Sequence, residues 1–110
     1  MMPENISDIL KKYHTDLHSL LKSKLSAMIL YGSYARGNFT KDSDVDIMIL
    51  LDAEQGEISK YADSIYDLTY DLEEETGMEI NPVIQSVKIY NHWKQTYPFF
   101  INVDKEGIRI

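Results

Sequence analysis

The chain has 110 residues, 44% of them hydrophobic and 26% charged, a balance that suits one folded domain over residues 1–110 rather than a disordered tail. A formal net charge of −7 argues against duplex nucleic acid as a partner, and the absence of cysteine excludes a disulfide framework and a Cys-based zinc site. No apolar run approaches the roughly 20 residues that span a bilayer, and the start of the chain, with Glu4 and Asp8, lacks a basic-then-apolar leader, so a cytoplasmic protein with no membrane partner is expected.

Ile6, Leu10, Tyr13, Leu17, Leu20 and Leu21 recur at helical spacing and predict a helix over 5–23, with Pro3 and Asn5 marking its entry. The apolar run 25–30 predicts a buried strand that feeds a turn at Gly32. Ser33 to Gly37 reads as a short helix closed by Gly37, followed by a polar loop over 38–43. The run 45–51 is apolar on both faces beyond Asp46, the pattern of a central strand covered on both sides. Ile58, Tyr61, Ala62, Ile65, Leu68 and Leu72 give a second helical stripe, ended by Gly77. Residues 78–84 read as a third strand, and Pro82, which cannot donate to a ladder, favours an edge or a bulge there. A helix follows over 87–97 with Ile89 and Trp93 facing inward, and Pro98 opens a last helix that Gly107 ends. This order predicts an α+β fold: a small mixed β-sheet flanked by helices.

The chemistry concentrates between residues 32 and 46. Asp44 and Asp46 are two apart at the start of a strand, so their side chains leave the same face with Cα atoms about 7 Å apart. Two carboxylates so placed repel one another without a cation, and Mg²⁺ takes hard oxygen ligands of this kind together with substrate phosphates. Gly32 lets the backbone approach a phosphate, and Ser33 opens a short helix with its N–H and hydroxyl available to phosphate oxygens. Arg36, one turn on, is placed to reach phosphate or to pair with a strand carboxylate. Lys41 is a weaker phosphate candidate, and Ser43 either contacts nucleotide or orients the turn before Asp44. On the third strand Glu79 is the carboxylate available to complete the acidic cluster, with Asn81 on the same face as a neutral ligand or hydrogen-bond partner. His14 and His18, at i and i+4, lack the glutamate that follows the first histidine in zinc proteases, so a solvated face is the better reading.

Gly32-Ser33, ten intervening residues and Asp44-Val45-Asp46 resemble the signature of the DNA polymerase β-like nucleotidyltransferase superfamily. The fuller string Gly32-Ser33-Tyr34-Ala35-Arg36-Gly37 with Ser43-Asp44-Val45-Asp46-Ile47 is similar to its minimal nucleotidyltransferase branch. The resemblance implies the polymerase β-like fold and transfer of AMP from ATP to an acceptor hydroxyl. It implies Mg²⁺ at Asp44 and Asp46, and phosphate contacts at Gly32 and Ser33. It further implies a helical HEPN-type toxin as partner, with this chain as the antitoxin that modifies it, typically on a tyrosine. The family's third acid is usually Asp, so Glu79 and Asn81 are a departure at the second metal position. Two other readings stand beside this one: an antitoxin that masks its partner by binding alone, and a small-molecule (antibiotic) nucleotidyltransferase. The last needs a homo-oligomer to build its acceptor site in so short a chain.

Overall fold

The stripe of Ile6, Leu10, Tyr13, Leu17 and Leu21 winds into helix α1, Glu4–Leu21, in a computed structural model that describes residues 4–110. All five of those side chains are buried, whereas Leu20 falls off the stripe and stands 42% exposed. The helix ends two residues before the expected limit because Lys22 turns to a φ of 52° and Lys22–Lys24 form a 3-10 turn. Pro3, expected to mark the entry, lies outside the described residues.

Among the described residues the sheet has four strands, in the order β3-β2-β1-β4. Strand β1, Leu25–Tyr31, runs antiparallel to the central strand β2, Val45–Leu51, which runs parallel to β3, Ile80–Ser86. The short helix α2, Ser33–Arg36, links β1 to the loop before β2, and Gly37 closes it at a φ of 84°. A parallel pair needs a long crossover. Helix α3, Ser59–Thr76, supplies it and stops at Gly77, whose N–H returns to the Glu73 carbonyl. Strand β3 is shifted two residues from the expected 78–84, and Pro82 sits on it at the sheet edge, where its missing N–H costs no ladder bond.

Two apolar clusters cover the sheet. On one face Met28, Leu30, Val45, Ile47, Ile49 and Leu51 pack with the stripes of α1 and α3. On the other Ile29, Tyr31, Met48 and Leu50 pack with Tyr90, Phe100 and Val103 from helices α4, Val87–Trp93, and α5, Pro98–Glu106. Each fully buried aliphatic side chain in β2 contributes about 1.5–3 kcal/mol relative to exposure. Buried inside the first layer, Tyr13 Oη and Thr69 Oγ1 lie 2.6 Å apart and tie α1 to α3.

The C-terminal third differs from expectation in three respects. Helix α4 ends at Trp93, and Ile89 and Trp93 are 36% and 45% exposed because Tyr90 and Val87 take the face towards the sheet. After Gly107 the chain adds strand β4, Ile108–Arg109, which pairs antiparallel with β1 through Leu30 and Ile29. Among the described residues no helix is long and apolar enough to cross a membrane.

Candidate active site

Strand directions bring the chemistry together. Because β1 and β2 are antiparallel, the end of β1 lies beside the start of β2, and Tyr31 is abreast of Asp46. Because β2 and β3 are parallel, the start of β3 lies there too, with Asn81 abreast of Asp46. One end of the sheet therefore collects the Gly32-Ser33 turn, both aspartates, Glu79 and Asn81.

Gly32 has φ 76° and ψ −155°, backbone torsions that residues with a Cβ rarely adopt. A Cβ at this position would collide with the Asp46 carboxylate. Glycine is thus required twice here, by the torsions and by the carboxylate packed against it. Ser33 follows as the first residue of α2 and is partly buried.

Strand β2 begins at Val45, so Asp44 sits just before the ladder instead of within it, and the two aspartates flank the fully buried Val45. Asp46 Oδ1 accepts a hydrogen bond from Asn81 Nδ2 at 3.2 Å. Asp44 faces Glu79, whose carbonyl accepts from the Val45 N–H at 2.8 Å. A carboxyl hydrogen bond to Asp44, followed by the charge of Asp44, holds Glu79 above the ordinary glutamate pKa. Glu79 thus pairs with Asp44, and Asn81 with Asp46. Among the described residues no three histidine, aspartate or glutamate side chains converge on one point as a metal-binding group, so the expected trio Asp44, Asp46 and Glu79 is spread over two pairs.

None of the ion pairs among the described residues involves Asp44, Asp46 or Glu79. Neighbouring carboxylates with no cationic partner are a donor set suited to a hard divalent ion, so the residues present fit Mg²⁺. Tyr31 adds no charge: burial, with a lesser contribution from Asp46, pushes its pKa up to about 12.

Arg36 pairs with neither strand aspartate. Its Nη1 lies 3.2 Å from Oε1 of Glu106, the last residue of α5, and the same oxygen accepts the Gly32 N–H at 3.2 Å. Ser43 Oγ accepts the Thr40 N–H at 2.9 Å and so orders the loop that delivers Asp44. Ser43 and Lys41 also line, with Asp42, Gly77, Met78 and Glu79, a polar cleft of about 180 Å³ beside Asp44. His14 and His18 stack at 6.4 Å on α1, apart from this site. Glu106 has no counterpart among the sequence-derived candidates. It lies 74 residues from Gly32, and the only hint was the alternation of Ile108, Arg109 and Ile110 after a helix stop, the signature of a short strand that could carry residue 106 to the sheet.

A four-stranded mixed sheet flanked by helices, with a Gly-Ser turn and paired aspartates at one end, is the architecture of a nucleotidyltransferase. The chain matches the family model "Nucleotidyltransferase domain" over residues 10–108 and belongs to that family. It is 33% identical over 103 residues to "Putative protein adenylyltransferase MJ0604" of Methanocaldococcus jannaschii, covering 94% of this chain and 95% of that protein. It is 43% identical over 72 residues to MJ0141 of the same organism, which bears the same kind of name, covering 61% of this chain and 72% of the relative. In fold it is similar to a crystal structure of a toxin-antitoxin with AMP-PNP, at TM-score 0.53 and 18% identity over 89% of this chain and 69% of the solved one. A mutant of the toxin-antitoxin MntA-HpeT superposes at TM-score 0.50 with 16% identity, over the same shares of the two chains.

Proposed function

We propose that this chain, as a single domain over residues 1–110, transfers AMP from ATP to a hydroxyl of a partner protein, and that the partner is a HEPN-type toxin which this modification silences in the cytoplasm. The observation that carries the reading is the meeting of the Gly32-Ser33 turn with Asp44 and Asp46 at one end of the sheet. The names of the M. jannaschii relatives, protein adenylyltransferases, support a protein acceptor. The toxin-antitoxin with AMP-PNP supports the choice of nucleotide and of partner.

In this reading Gly32 and Ser33 hold the triphosphate through backbone N–H groups and the Ser33 hydroxyl. Arg36 supports the same phosphates, and Ser43 positions the loop beside them. Asp44 and Asp46 hold Mg²⁺, with Glu79 beside Asp44 and Asn81 beside Asp46. When bound, the metal supplies charge neutralisation at the triphosphate and activation of the incoming hydroxyl. The acceptor oxygen attacks the α-phosphorus in line, a new P–O bond forms, and pyrophosphate leaves with the electron pair of the broken bond. Glu79 lines the polar cleft, and Asp44 beside it raises its proton affinity. The acceptor's proton passes to that pair.

Co-expression with the protein encoded beside this chain tests the reading. Protection of growth by the wild type, and its loss in the double variant Asp44→Asn, Asp46→Asn, is the expected outcome. Full protection by the double variant would replace transfer with masking by binding alone.

A further inference from the structure

Two groups assigned above to the triphosphate, the Gly32 N–H and the Arg36 guanidinium, are already engaged by one carboxylate. Glu106 Oε1 accepts from Gly32 N at 3.2 Å, and Oε1 and Oε2 lie 3.2 and 3.3 Å from Arg36 Nη1. A backbone N–H at a glycine turn together with a guanidinium is a donor set that serves phosphate oxygens as well as carboxylates. The register explains how a residue so distant in sequence arrives there. Leu30 is abreast of Ile108 in an antiparallel pair, which sets residue 106 abreast of Gly32.

The backbone of Glu106 is anchored on both sides. Gly107 N donates to the Val103 carbonyl at 2.8 Å, and Ile108 and Arg109 are paired with β1. The side chain itself is 27% exposed. It can leave the turn by rotating about its own bonds, with α5 and β4 staying in place.

We propose that Glu106 is an internal stand-in for phosphate: it occupies the turn in the nucleotide-free protein and is displaced when the triphosphate arrives. The inference rests on the assignment of Gly32 and Arg36 to the triphosphate. The contact satisfies both groups while the site is empty and weakens nucleotide binding by the free energy of breaking it. It acts as a threshold on occupancy, set by a residue that takes no part in the transfer.

Calorimetric titration with AMP-PNP and Mg²⁺ tests this on the full chain, with folding checked by thermal melts. Glu106→Gln keeps the shape and removes the charge, and tightens binding by roughly fivefold, the upper end of what an exposed ion pair contributes. Glu106→Asp keeps the charge but is one methylene too short to bridge Gly32 and Arg36, and it too tightens binding, by a smaller factor. Unchanged or weaker binding in Glu106→Gln overturns the proposal. So does tightening in Glu106→Gln alone, which would assign the effect to net charge. If Glu106→Gln does not fold, Glu106→Asp decides: unchanged or weaker binding refutes the stand-in. Failure of the wild type and both variants to bind would instead refute the nucleotide reading on which the proposal stands.

Discussion

Replacing Gly32 with alanine perturbs the backbone and the carboxylate behind it together. Its φ of 76° with ψ of −155° lies in a region that is essentially glycine-only, where a residue with a Cβ costs on the order of 1–3 kcal/mol. The added Cβ also meets the Asp46 carboxylate, which must turn away from its place beside Asn81. The stability term lowers the melting temperature by about 4–8 °C per kcal/mol in a domain near this size. Displacing a positioned catalytic group by about an ångström costs on the order of 10²-fold in rate. Gly37→Ala is the comparison: its φ of 84° also resists a side chain, at about 1–2 kcal/mol, but no atom of the described residues lies near its added Cβ. Both variants therefore melt earlier, while only Gly32→Ala loses transfer of labelled AMP by two orders of magnitude. Equal activities in the two variants, at temperatures where both are folded, would refute the role given to the Gly32–Asp46 contact.

Glu79→Gln removes the repulsion across the Asp44–Glu79 pair. Because Asp44 raises the folded pKa of Glu79, the protonated Glu79 contributes stability that is present below the ordinary glutamate value and is lost as pH rises through the raised one. The variant therefore melts later than wild type at neutral pH and at the same temperature in acid; a lower melting point at neutral pH would contradict the Asp44–Glu79 repulsion. Tyr13→Phe deletes the bond to Thr69, while Thr69 Oγ1 still donates to the Ile65 carbonyl at 2.7 Å, so no polar group is orphaned. Its cost is about 1 kcal/mol, read as a shift of the urea midpoint at constant slope.

The elements that a sequence shows best are those with long apolar periods. The stripes of α1 and α3 and the two-sided burial of β2 were all readable, because each is fixed by burial along a single segment. Gly37 and Gly77 marked helix ends for a local reason, their positive φ. Ile89 and Trp93 misled because a four-residue spacing fits either face of a short helix, and Tyr90 won the inner one. Strand β4 is only Ile108–Arg109, too short for a period, and owes its existence to pairing with β1. At the site, the spacing between Gly32 and the aspartates was visible as a motif. The pairing of Glu79 with Asp44 and of Asn81 with Asp46 depends on the parallel register of β2 and β3, which no single segment encodes. Arg36 could not be assigned its partner for the same reason, since Glu106 reaches it only through the β1–β4 register.

The central claim is transfer of the nucleoside monophosphate, and the position of the label in ATP tests it most directly. The protein, Mg²⁺ and the product of the neighbouring gene are incubated with ATP labelled at the α-phosphate or at the γ-phosphate. Label from the α-position alone becomes bound to the partner protein, γ-label appears in pyrophosphate, and Asp44→Asn with Asp46→Asn abolishes both. Label on the partner from the γ-position, or α-label transfer that survives the double substitution, would contradict nucleotidyl transfer at this site.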